Sequence, residues 1–269
     1  MEQILNLNEE SKEELSEICS HDFDIFKLRQ STKENELVTV VCHILAREGI
    51  FDKLPIANEK FLMFIQKIQS TYNDITYHNI THGADLAQSF YYMVTSGELR
   101  KKCELTNWEV MSYIIAAACH DVGHMGFNNV YHMEKRDSIG MRYNDNSVLE
   151  NFHIATTFEI ISFEKYNIFS DLSKDEYKKV RKLMIGAILA TDMTFHFTKF
   201  SILKGKLESK DLNPTNIDEK KFLCEQLFHM CDISNAAKPF NICEKWTNLL
   251  FVEFFQQGDM EKTLGHDVS

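Results

Sequence analysis

The stretch WEVMSYIIAAACHDVGHMGFNN, residues 108–129, decides the fold. From Trp108 to Cys119 it is apolar almost all the way round, and a helix without a polar face belongs in the middle of a domain. At His120 the run turns abruptly polar, with His120, Asp121 and His124 following one another closely. An ionisable group in such surroundings is costly unless something compensates it. The stretch therefore announces a core and, at its end, a place where a cation would be welcome.

Outward from it, apolar residues recur at three- and four-residue intervals, the period of a helix. Helices are expected over LVTVVCHILA (37–46), NEKFLMFIQKIQSTY (58–72, after the Pro55 turn) and NSVLENFHIATTFEIISF (146–163). Others are expected in DEYKKVRKLMIGAILATDM (175–193), in DEKKFLCEQLFHMCDIS (218–234) and over 240–257, with Gly258 as terminator. Only three prolines and ten glycines interrupt 269 residues, and no pair of segments reads as paired strands, so the class is all-α. Loops are expected over KGKLESKDLNPTNIDEKK (204–221) and from Glu134 to Asn146. No repeat or Pro/Gly/Ser linker marks a boundary. The organisation is thus an N-terminal extension or start of a first helix over 1–20, then one compact multi-helix domain over 21–269.

A formal net charge of −11 argues against a sequence-independent nucleic-acid binder, which needs Lys and Arg to neutralise phosphates. A phosphate-bearing ligand then requires a local cation, and a metal ion supplies one. Seven cysteines, an odd number without a CxxC pair, read as reduced core thiols. The acidic start lacks a signal-peptide pattern, and no apolar run approaches the ~20 residues of a membrane span. A cytoplasmic location is expected.

His78 and His82 in YHNITHGADL, and His120 and His124 in CHDVGH, are spaced i, i+4, which puts the two imidazoles of each pair on one helix face. A lone pair of this kind is weak evidence. Two such pairs, plus a third polar insertion at Asp232 in LFHMCDISNAAKPF, are stronger. Adjacent His120 and Asp121 can converge on a metal from a helix end, with Asp121 offering a second oxygen to a neighbouring ion. A His/Asp donor set with no thiolate pair suits zinc or another first-row ion with positions open to water.

In this order, YHNITHGADL, HDVGHMGFNN, YNDNSVLENFH, ILATDM and CDISNAAKPFNICEKWTNLLFVEFFQQGD resemble the signature of the class I 3′,5′-cyclic-nucleotide phosphodiesterases of the HD hydrolase superfamily. The resemblance covers nearly the whole chain. It implies a tighter metal site at His82, His120, Asp121 and Asp232, usually zinc, with Asp121 bridging to a second ion, usually magnesium, with manganese as the other choice. It further implies attack of a hydroxide held between the ions on phosphorus, with His78 as the acid that protonates the 3′ oxygen. His124, Glu150 and Thr191 fall at positions that hold metal-bound waters or orient ligands. Read without the family, Glu150 is an exposed helix charge and Thr191 a helix-interior residue. Tyr77, Met193, Asn235, Leu250 and Phe254 align with nucleotide-pocket positions, although a Met or Phe at helical spacing also reads as plain core. His153, His196 and His229 are given no metal.

The implied activity is hydrolysis of cAMP or cGMP to the 5′-monophosphate, with a small cyclic nucleotide as partner and no membrane segment. One departure qualifies it. The family's domain continues past EFFQQGD (253–259) into helices with a base-binding glutamine and an aromatic clamp, whereas this chain stops at GHDVS. The expectation is a domain lacking its last helices and half its base pocket. The alternative reading is a catalytically impaired metal-binding or interaction protein.

Overall fold

The computed structural model describes Leu5 and residues 7–269. Its helices in chain order are α1 (Glu9–Ser16), α2 (Ile25–Ser31), α3 (Glu36–Arg47), α4 (Ile50–Lys53), α5 (Asn58–Gln69), α6 (Ile80–Val94), α7 (Leu99–Lys102) and α8 (Asn107–Cys119). They continue with α9 (Asn129–Lys135), α10 (Ser138–Tyr143), α11 (Val148–Ser162), α12 (Lys174–Leu189), α13 (His196–Ser209), α14 (Ile217–Asp232) and α15 (Phe240–Leu264). No strand occurs among the described residues, and the all-α class holds. Of the expected extension over 1–20, residues 1–4 and Asn6 lie outside the described residues, and α1 falls within the rest.

α8 is the centre of the bundle. Every residue from Val110 to Cys119 is buried, as a helix apolar on all sides requires. α6 packs on one side of α8 and α12 on another, while α3 and α14 close over α6. At this junction Phe90 of α6 sits with its ring 5.1 Å from Tyr113 of α8 and 5.6 Å from Phe228 of α14. α8 begins at a capping box in which the Glu109 N–H donates to the Thr106 hydroxyl (3.2 Å) and the Thr106 N–H to the Glu109 carboxylate (2.8 Å). Thr106→Ala removes a cap from the central helix and is expected to cost about 1 kcal/mol in urea unfolding, with an unchanged m-value.

Helix ends, more than helix bodies, place the chemistry. α6 starts only at Ile80, because the Asn79 side chain accepts the Thr81 N–H at 2.9 Å and caps it. His78 therefore precedes the helix instead of sharing a face with His82. α8 stops at Cys119 with His120 as its C-cap, and the chain turns through Gly123 at φ +79°. A Cβ there would lie 3.1 Å from the Phe152 ring, in a conformation L-residues avoid, so glycine is required on both counts. His124 lies beyond this turn. The expected sharing of a helix face holds for neither histidine pair.

Three other expectations are corrected. Gly258 does not end α15, which runs to Leu264 and terminates at Gly265 in the left-handed region (φ 75°). One interior glycine costs only about 1 kcal/mol, which the favourable residues after it offset. Both ends of the expected 204–221 loop are helical, residues 204–209 as the end of α13 and 217–221 as the start of α14, leaving residues 210–216 as the connection. Within Glu134 to Asn146, Asp137 caps the short α10 by accepting the N–H groups of Ile139 and Gly140.

Candidate metal centre

The interrupted helices bring the polar insertions together. His82 comes from the first turn of α6, His120 and Asp121 from the end of α8, and Asp232 from the last residue of α14. His82 Nε2 lies 2.9 Å from Asp232 Oδ1 and 3.5 Å from Asp121 Oδ2. His120 Nε2 lies 3.2 Å and 3.0 Å from the same two oxygens. A metal with bonds of about 2.1 Å sets neighbouring ligand atoms about 3.0 Å apart in an octahedron and about 3.4 Å in a tetrahedron. The four separations match that spacing.

Of the cluster's buried atoms without a hydrogen-bond partner, His120 Nε2 and Asp121 Oδ2 are the ones that face each other across the convergence. His120 Nδ1 faces the Ala117 carbonyl at 2.8 Å, and since a carbonyl only accepts, Nδ1 carries the ring proton. The neutral ring is left with an Nε2 lone pair directed at the two carboxylates. Backbone orientation of one nitrogen so that the other can bind is how metal-ligating histidines are held. Buried donor atoms that converge without protein partners, in coordination spacing, fit a divalent cation.

The charges agree. Burial pushes Asp121 and Asp232 up, but the neighbouring His120 outweighs it and both carboxyls stay below the ordinary range. Burial pulls His120 down, and Asp121 and Asp232 more than reverse it.

Asp121 faces two ways. While Oδ2 points to His120 and His82, Oδ1 lies 3.7 Å from His153 Nε2. His153 donates from Nδ1 to the Val122 carbonyl at 2.9 Å, which leaves its Nε2 as a second lone pair. Burial pushes its pKa down to about 4, so that lone pair is present at neutral pH. Asp121, His124 and His153 form a group adjacent to the first, close enough to share Asp121. His124 differs, because its Nδ1 accepts the Gly126 N–H at 2.9 Å and its Nε2 must then carry the proton. Burial, reinforced by His78, holds His124 well below the ordinary value, making it a neutral donor.

His78 stands across the cleft, its ring stacked 4.1 Å from that of His124. Its Nδ1–H donates to the Glu253 carboxylate, which also accepts the Tyr77 N–H at 2.9 Å. Burial lowers its pKa, but Glu253, then Asp121, outweigh this and the net shift is upward. With Nδ1 occupied, Nε2 is the atom left for a ligand.

These groups line a cavity of about 490 Å³. Tyr77, Glu150, Thr191, Met193, Leu250 and Phe254 are on its wall. Glu150 is buried, not an exposed helix charge; it accepts from Asn129 Nδ2 at 3.0 Å, and burial raises its pKa to about 7. Thr191 lies just past α12 and donates to the Ile188 carbonyl at 2.8 Å. Asn235 is the exception among the expected pocket residues, since it stands behind Tyr77 and not on the wall. Glu253, Asp192 and His153 are on the wall although sequence reasoning gave them no role. For Glu253 the signal was present, a lone acid inside LLFVEFF, the same polar insertion that exposed the other residues.

The profile of the 3′5′-cyclic nucleotide phosphodiesterases matches residues 77–269. The chain is 36% identical over 259 residues to a probable 3′,5′-cyclic phosphodiesterase (pde-1) of Caenorhabditis elegans, covering 95% of this chain and 38% of the relative. It is 35% identical over 246 residues to a dual specificity calcium/calmodulin-dependent 3′,5′-cyclic nucleotide phosphodiesterase 1B of Mus musculus, covering 90% and 44%. It is 31% identical over 268 residues to a 3′,5′-cyclic-AMP phosphodiesterase 4C of Rattus norvegicus, covering 97% and 50%. The chain thus spans half or less of the length of these relatives. With the profile extending from the cleft tyrosine, Tyr77, to the last residue and the matching side chains gathered on one cavity, the chain belongs to the 3′5′-cyclic nucleotide phosphodiesterase family.

Proposed function

We infer that the chain hydrolyses 3′,5′-cyclic nucleotides to 5′-monophosphates at this centre. The observation that carries the reading is the convergence of four unpartnered or acid-paired ligands, His82, His120, Asp121 and Asp232, opposite a histidine held by a carboxylate. These four would hold zinc, and Asp121, with the His153 side of the cavity, would hold magnesium or manganese. Bound there, the cations lower the pKa of a water and neutralise the charge of the phosphate.

The chain's own residues do the rest. His124 donates from Nε2, and Glu150 and Thr191 offer oxygens on the same wall to orient water. Tyr77, Leu250 and Phe254 bound the space for the nucleotide. His78, protonated on both nitrogens, keeps Nδ1–H on Glu253 and gives the Nε2 proton to the departing 3′ oxygen, a poor leaving group as an alkoxide. Conversion of cAMP or cGMP to the monophosphate by the purified chain with Zn²⁺ and Mg²⁺, abolished by chelator and restored by metal, is the expected result. Saturable nucleotide binding with no turnover would instead establish the alternative, a metal-binding interaction protein; the exposed Phe251 and Phe255, stacked at 6.0 Å, are the surface such a protein would use.

Glu253→Gln separates the acid from its support. The carboxylate raises the His78 pKa, so removing its charge lowers it and depletes the protonated, active form as pH rises. The alkaline limb of the kcat–pH profile is expected to move to lower pH, with a loss of about 10-fold at pH 8 and less at pH 6. An unmoved alkaline limb counts against the assignment.

A further inference from the structure

Behind the cleft lies a buried polar chain that ends on Asn235 and Tyr77 and begins at Lys238, Asp85 and Gln88, three residues to which neither the proposed chemistry nor the sequence motifs give a role. Lys238 and Asp85 form an almost completely buried ion pair, Nζ to Oδ1 2.6 Å. Lys238 also reaches Gln88 Oε1 at 3.4 Å, and Gln88 Nε2 donates to the carbonyls of Ile18 and Ser20, both at 2.9 Å. On the other side, Asp85 Oδ2 accepts from Asn235 Nδ2 at 3.1 Å. Asn235 Oδ1 in turn accepts the Tyr77 hydroxyl. The Tyr77 ring packs edge-on against His78 at 4.7 Å and lies 4.8 Å from His82.

The chemistry of the groups fixes the direction of this chain. A carboxylate engaged by an ammonium stays ionised and only accepts, so Asn235 must turn its NH₂ to Asp85 and its carbonyl to Tyr77. With the amide reversed, two acceptors would oppose each other in a buried site, and Tyr77 would face donors. The charge of Asp85 therefore sets which end of Asn235 meets Tyr77, and Lys238 permits that charge to be buried.

We propose that Asp85 and Lys238 are positioning residues: acting through the Asn235 amide, they hold the Tyr77 hydroxyl and ring, and through them the orientation of the His78 imidazole. The proposal rests on the reading of His78 as the acid and adds to it two residues that touch neither metal nor nucleotide. Asn235 becomes the joint between them and the cleft.

The test is a cycle between Tyr77→Phe, which removes the last link, and Asp85→Leu/Lys238→Met, which removes the pin without stranding a charge. Each is expected to lower kcat about 10- to 100-fold with KM within about threefold, and with metal content and unfolding midpoint retained. Combined, they are expected to cost no more than the worse of the two, because both cut one chain. The ¹⁵N imidazole resonances of His78 give a readout independent of turnover and are expected to shift alike in both variants. Should the apolar pair not fold, Asn235→Ala cuts the same link and carries the same expectation. Losses that multiply in the combined variant, or a full kcat with unmoved His78 resonances, overturn the proposal. Shifted resonances in a protein without hydrolytic activity sustain the positioning role and overturn the functional reading alone.

Discussion

Asparagine in place of Asp232 is expected to empty the tighter metal site and to lower cyclic-nucleotide turnover by at least about 10³-fold, since a bound cation contributes several kcal/mol of transition-state stabilisation. The substitution keeps the shape of the side chain and removes its charge. Asp232 Oδ1 lies 2.9 Å from His82 Nε2 and 3.2 Å from His120 Nε2, and Asp121 Oδ2, at 3.5 and 3.0 Å from the same nitrogens, is a separate donor that cannot fill both positions. Elemental analysis of the purified variant should show zinc well below one equivalent, while the helical circular dichroism stays that of the parent.

The same substitution has a pH signature in the metal-free protein. The folded pKa of Asp232 lies below its ordinary value of 3.8, so the carboxylate contributes stability that is fully present above that value and is lost as pH falls through the depressed one. The parent should therefore be more stable than Asp232→Asn at neutral pH, and the difference should close as both are taken into strong acid. A gap that stays constant with pH would mean that the carboxylate is not stabilised by His120 and His82.

Much of this was legible because burial and polarity leave opposite marks on a sequence. The all-apolar face of α8 requires a central helix, and a polar residue placed inside such a run requires a partner. The segments holding His78 and His82, His120 to His124, and Asp232 stood out in this way; the family resemblance implied that His82, His120, Asp121 and Asp232 form one set, and these four lie together. What periodicity misplaced was the end of each helix. The i, i+4 rule assumes that the helix continues, but the Asn79 cap starts α6 after His78, and His120 already caps α8. The pairs that form join different segments instead: the His82 and His120 rings lie 5.0 Å apart, and those of His78 and His124 lie 4.1 Å apart.

Pairings across the chain leave no local trace of the partner, even where a lone buried acid marks one member. His78 meets Glu253, 175 residues away, and Tyr77 meets Asn235, 158 away. Nothing in either segment names its partner, so Glu253 was passed over and Asn235 was assigned to the ligand instead of to Tyr77. A single acid in an apolar stretch should be followed up as closely as a histidine pair, because the desolvation argument is the same for both.

The acid itself can be separated from the metal by its own substitution. His78→Gln is expected to lower kcat by about 10²- to 10⁴-fold, the range for general-acid assistance to a poor leaving group, and to leave KM and metal content near those of the parent. Asp232→Asn loses metal and rate together; His78→Gln should lose rate alone. The leaving group supplies the stricter test. A cyclic nucleotide departs as an alkoxide and needs a proton, whereas a nitrophenyl phosphodiester releases an anion stable without one. If His78 supplies the proton, its removal matters greatly for the first substrate and little for the second. Equal losses on both would assign His78 to holding the phosphate, and the Glu253 carboxylate behind it would then act on binding and not on proton transfer.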